Sequence, residues 1–79
     1  MHAALAFYVV CYLRVDGSVS VEDSGLCLST AATRAKECSQ SLLDEAKWNE
    51  RDQEWASPTG NRIAIRRVSF TWEEVKDAR

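Results

Sequence analysis

The chain has 79 residues, a formal net charge of −2 and a pI near 5.3. That length holds one domain with a thin core, because a chain of this size keeps roughly 40% of its unfolded surface in water. A composition of 46% hydrophobic and 28% charged residues describes a soluble globular chain rather than a disordered one. The mild acidity argues against a generic nucleic-acid coat.

The first element is the run Ala3 to Arg14, AALAFYVVCYLR, rich in aromatic and β-branched residues. Its apolar core, Ala3 to Leu13, is too short to span a bilayer, which needs about 20 residues. No Lys or Arg precedes it, so it also lacks the basic flank of a signal peptide. Phe7, Val9, Cys11 and Leu13 fall on one face, and Tyr8, Val10 and Tyr12 on the other. Apolar residues on both sides predict a central strand. Asp16-Gly17 between two apolar runs predicts a tight hairpin turn. A second, half-exposed strand is expected from Ser18 to about Glu22, where Val19 and Val21 alternate with serines. Leu26 to Leu28 continues it past a bulge or forms a third short strand.

Ser29 or Thr30 is placed to cap a helix. Ala31, Ala35, Cys38, Leu42 and Ala46 then recur at helical spacing, a stripe of small to medium side chains suited to lie flat on a sheet. The helix is expected to reach Asn49, with Trp55 as its furthest extent, before Ser57-Pro58-Thr59-Gly60 turns the chain. Residues 61–72 predict the last long strand. Its apolar phase slips at Arg66-Arg67: Ile63 and Ile65 share one face, then Val68, Phe70 and Trp72 share the other. Such a slip predicts a β-bulge or a break between two strands. Thr71-x-x-Glu74 fits a capping box for a short terminal helix over 72–78. These elements define a single α+β domain over 1–79: a three-stranded antiparallel sheet in ββαβ order, strand order 2-1-3, with one long helix on one face.

The sequence holds no set of catalytic groups. His2, the only histidine, sits beside the chain start. Cys11, Cys27 and Cys38 form no CxxC and match no zinc spacing, and are expected to be reduced, mostly buried thiols. No phosphate-binding glycine loop or nucleophile elbow is present. The expectation is therefore a non-enzymatic cytoplasmic protein with no cofactor or metal.

The net charge conceals a division. Residues 22–54 hold eight acids and four bases, while residues 61–79 hold five bases and three acids. An acidic helix facing a basic last strand is expected, either as a solvated and internally paired surface or as a bipolar one that orients a partner. One helix covers one side of the sheet, so Tyr8, Val10 and Tyr12 are placed on the open side with Arg66. Trp48 and Trp55, seven residues apart, would share a helix face. The alternative is that the helix ends near residue 50 and Trp55 folds back onto the core.

The expected function is protein binding, as an inhibitor occupying a surface on a larger protein or complex. The candidate contact residues are Tyr8, Tyr12, Asp44, Glu45, Trp48, Glu50, Arg66 and Arg67. A second copy of the chain is a further candidate partner. The second reading is a single-strand nucleic-acid module using Arg62, Arg66 and Arg67 with the Tyr8 and Tyr12 face.

The order of a strand FYVVCYLRVDGSVSV, a glycine-containing link and a helix SGLCLSTAATRAKECSQSLLDEA resembles antitoxins of the HicB kind over about residues 5–70. It lacks that family's proline-containing motif before the helix and has no room for a separate DNA-binding domain. That resemblance implies a partner-neutralising role. In size and acidity the chain is also similar to small phage-encoded inhibitors, including anti-CRISPR proteins.

Overall fold

A computed structural model of the chain describes residues 2–73. The element order is β1 (His2–Leu13), β2 (Val19–Leu26), α1 (Leu28–Leu42), β3 (Lys47–Asn49), β4 (Glu54–Ala56) and β5 (Arg62–Glu73). All five strands form one sheet in the order β2-β1-β5-β4-β3, and every neighbouring pair is antiparallel. The α+β class follows the sequence expectation, and the first strand is interior, paired on both sides, although the middle strand of the five is β5. The predicted order 2-1-3 survives as β2-β1-β5. Two short strands, where the sequence predicts helix and loop, extend the sheet beyond it.

The helix stops at Leu42, well short of Asn49. Leu43 is already extended, with φ −116° and ψ 146°, and its N–H bonds to the Ser39 carbonyl. Its side chain is buried in the core, whereas Leu42 is exposed. The buried stripe is therefore Ala31, Ala35 and Ser39, continued by Leu43. The small side chains let α1 lie close against Val10, Ile63 and Ile65, the centre of the core. The helix is capped by the backbone of Cys27, without a side-chain cap from Ser29 or Thr30.

Two hairpins share one construction. In the first, Arg14 N–H bonds to Ser18 O and Gly17 N–H to Arg14 O, closing a three-residue loop. In the second, Ser57 N–H bonds to Asn61 O and Gly60 N–H to Ser57 O. Each loop ends on a glycine at positive φ, 90° at Gly17 and 98° at Gly60, as a type I turn followed by a left-handed residue requires. The first turn thus has one positive-φ residue, not the two expected of a two-residue loop. The two loops also meet, since Val15 N–H donates to Asn61 Oδ1 at 2.8 Å.

The pairing of β1 with β5 runs unbroken from Leu13↔Arg62 to His2↔Glu73. The expected bulge at Arg66-Arg67 is absent. Register shifts occur instead between β1 and β2, so β2 continues through Gly25 to Leu26 past its irregularities. β2 pairs only with Tyr8 to Leu13, and β4 only with Arg62 to Ala64. The remaining half of β1–β5 is a two-stranded ribbon projecting from the body. It contributes to extents of 54 × 26 × 21 Å. Of the short helix expected over 72–78, Trp72 and Glu73 belong to β5, and residues 74–79 lie outside the described residues.

Candidate functional site

Cross-strand partners share a sheet face, so the register assigns every side chain to a side. Val10, Ile63 and Ile65 contact the helix, which fixes Tyr8 and Tyr12 on that side too, packed against the core. This corrects the expected placement of Tyr8, Val10 and Tyr12 on the open side. Trp55, opposite Ile63, is also on the helix side and packs on the core. Trp48 lies opposite Trp55 with ring centroids 5.6 Å apart and remains 36% exposed. The two tryptophans therefore meet across a hairpin rather than along a helix.

The charge division changes address as well. α1 carries Arg34, Lys36 and a single acid, Glu37. It is not an acidic helix. Arg34 bonds to Asp23 of β2 at 3.0 Å and to Glu37 at 3.1 Å, tying the helix to the sheet edge. Asp44 and Glu45 precede β3, and Glu50 and Asp52 occupy the β3–β4 turn. Glu50 accepts a 2.6 Å hydrogen bond from Trp48 Nε1. Asp44, Glu45, Trp48 and Glu50 thus belong to one short stretch around this hairpin. Beside it, Lys36, Ser39, Gln40, Leu43, Glu45, Ala46 and Trp55 line a shallow depression of about 440 Å³.

The open face is built from the other register set. Phe7, Val9, Cys11 and Leu13 of β1 lie between Val19 and Val21 of β2 and Arg62, Ala64, Arg66 and Val68 of β5. Val19 and Val21 are each 59% exposed, Leu5 48% and Val68 37%. No described element covers this side, yet Ala64 is fully buried, and Val9 and Cys11 are each only 9% exposed. An ion cluster stands on the same face. Glu54, opposite Ala64, is 3% exposed. Its carboxylate accepts bonds from Arg62 at 3.0 and 3.1 Å, and from Arg66 as well. Arg66 also donates to the carbonyls of Asp52 and Ile65. A buried carboxylate demands such partners, because an unpaired buried charge is costly. The outcome is two half-exposed guanidinium groups held in place beside an apolar strip.

Of the predicted contact residues, only Arg66 belongs to this open face. Arg67 pairs with Tyr8 on the opposite side. Arg62 and Arg66 are thus separated by the sheet from Tyr8 and Tyr12. Sequence reasoning missed Glu54, Val19 and Val21 as site residues. The alternation of Val19 and Val21 with serines was the available signal.

The cysteines differ from one another. Cys11 is buried and Cys38 partly so, and desolvation raises both thiol pKa values. Cys27 is exposed, contrary to the mostly buried expectation. Hydrogen bonds with the Ser29 and Thr30 hydroxyls, with Sγ–O distances of 3.4 and 3.2 Å, lower its pKa to about 7. Among the described residues there is no His, Cys, Asp and Glu cluster suited to a metal ion, and no helix is long and apolar enough to cross a membrane.

No protein-family model, curated protein or solved structure matches the chain. The antitoxin-like order of elements is therefore not carried by a family match.

Proposed function

We propose that the chain is a non-enzymatic protein-binding module that uses the open face of its sheet to occupy a surface on a larger protein, as an inhibitor does. The observation that carries this reading is the exposed strip of Leu5, Val19, Val21 and Val68 beside Arg62 and Arg66. An uncovered apolar strip with fixed arginines at its margin has the composition of a protein interface, apolar at its centre and charged at its rim. Glu54 holds both guanidinium groups before any partner arrives, so little side-chain entropy remains to be lost on binding. The cluster carries one excess positive charge, which suits a partner surface that is apolar with an acidic margin.

A competing surface is the β3–β4 hairpin, where Trp48 and Glu50 stand beside Asp44 and Glu45. Affinity capture with matched variants separates the two. Val21→Lys and Val68→Lys are expected to abolish capture of the cognate partner while thermal unfolding stays within a few degrees. Trp48→Ala with Glu50→Ala is expected to leave capture intact. The reverse pattern would transfer the function to the hairpin. Binding to single-stranded nucleic acid that weakens steeply with salt, with no protein captured, would sink the proposal.

A further inference from the structure

Among the described residues, the projecting half of β5 has a free edge. β4 pairs with this strand only as far as Ala64, and one more bond, from Ile65 N–H to Gln53 O at 3.0 Å, ends the contact. That bond fixes the phase of the backbone. Antiparallel strands direct alternate residues to alternate edges, so Arg67, Ser69, Thr71 and Glu73 turn both N–H and C=O outward, as Ile65 does. Val68, Phe70 and Trp72 direct theirs toward β1. Among the described residues no strand takes up the outward groups. The usual protections of an edge are also missing here, since the stretch Val68 to Trp72 has no charge, no proline and no bulge.

The sequence of this edge is complementary to its own reverse. Residues 67–73 read Arg-Val-Ser-Phe-Thr-Trp-Glu. Laid antiparallel on a second copy and centred on Phe70, Arg67 falls opposite Glu73, Val68 opposite Trp72, and Ser69 opposite Thr71. The backbone phase permits this register, because it sets outward-facing residues 67, 69, 71 and 73 against one another. A slip of one residue would set outward groups against inward ones. A slip of two would take the arginines off the glutamates. Opposite charges, apolar pairs and hydroxyl pairs at directly opposed positions are each favourable across an antiparallel ladder.

We propose that a second copy of this chain pairs with the free edge of β5 in this register, forming a two-fold dimer with one continuous sheet. The symmetry is isologous, so each contact occurs twice. On the order of eight main-chain hydrogen bonds close the seam. The two-fold axis stands perpendicular to the sheet, which keeps both helices on one side and both open faces on the other. Val68 of both copies then lies on the shared open side. The inference is independent of whether the apolar strip on that side takes a further partner.

The test is the solution mass of the full chain, by sedimentation equilibrium over a concentration series. The wild type is expected at twice 8.9 kDa. Arg67→Glu and Glu73→Arg, taken singly, are each expected to raise the dimer Kd roughly tenfold or more, since each places like charges opposite one another twice. The double variant Arg67→Glu with Glu73→Arg is expected to recover the dimer. Ser69→Pro removes an outward N–H that β1 does not use, and is expected to give a folded monomer by circular dichroism. A wild type that stays monomeric at its highest soluble concentration overturns the proposal. So does a dimer that none of these substitutions weakens, or a charge-swapped variant no better than the single ones.

Discussion

At the scale of single residues, position relative to a helix or a face decided chemistry that residue type left open. The three cysteines are alike in sequence, but Cys27 alone is exposed and stands at the start of α1 with two hydroxyls hydrogen-bonded to its sulfur. Those bonds favour the thiolate, and the thiol pKa falls to about 7. Below that pH the group is a neutral thiol and above it an anion, so alkylation should rise through a midpoint near pH 7. Peptide mapping after brief iodoacetamide treatment is expected to show Cys27 labelled first. Cys11 and Cys38, whose pKa values are raised by burial, should label only at higher pH or on unfolding. Equal labelling of all three at neutral pH would contradict this. Glu54 makes the opposite point. One of eight acids in the 22–54 stretch, it had no signal of its own in the sequence. Its role comes from lying opposite Ala64, with Arg62 and Arg66 two positions away along β5.

At the scale of elements, the turns were readable and the end of the helix was not. Asp16-Gly17 and Thr59-Gly60 are strong local signals because a left-handed residue is cheap only for glycine. The two sites differ in their surroundings. A Cβ at Gly17 meets nothing within 4 Å, whereas one at Gly60 lies 3.1 Å from Val15 Cγ2. Gly17→Ala is therefore expected to cost about 1 kcal/mol through backbone strain alone. Gly60→Ala should cost more, about 2 kcal/mol, because the two hairpin loops must also move apart. Urea unfolding of both variants measures the difference, and equal costs would refute the docking of the loops. The sequence pattern overextends the helix because Leu42 and Ala46 continue its spacing. Nothing local forbids that continuation. What stops it is Leu43, which gains more by entering the core beside Ile63 and Ile65 than by adding another turn. With the chain extended there, Trp48 and Trp55 become cross-strand neighbours.

At the scale of the whole molecule, the governing fact is that one 15-residue helix cannot cover two 12-residue strands. The body of the sheet is buried on the helix side, whereas Ala6, Ser69 and Thr71 of the ribbon beyond it are exposed. The slip in apolar phase at Arg66-Arg67 marks that boundary. The register stays constant, and the apolar set changes from the helix side to the open side as the helix is left behind. Paired as a dimer, the outward amides of Ser69 and Thr71 should exchange with solvent more slowly as protein concentration rises. The amide of Val68, bonded toward β1, should show no such dependence. Concentration-independent exchange at all three would argue against edge pairing. The sequence by itself determined the α+β class, the interior place of β1, the order β2-β1-β5 and the position of both glycine turns. Each is encoded in alternation, helical spacing or left-handed geometry over a few neighbouring residues. Only the tertiary structure decided where the helix stops, that residues 47–56 add two strands, and which side of β1 carries the tyrosines. A strand with apolar residues on both faces has no local preference for either, and the helix chooses by where it lands.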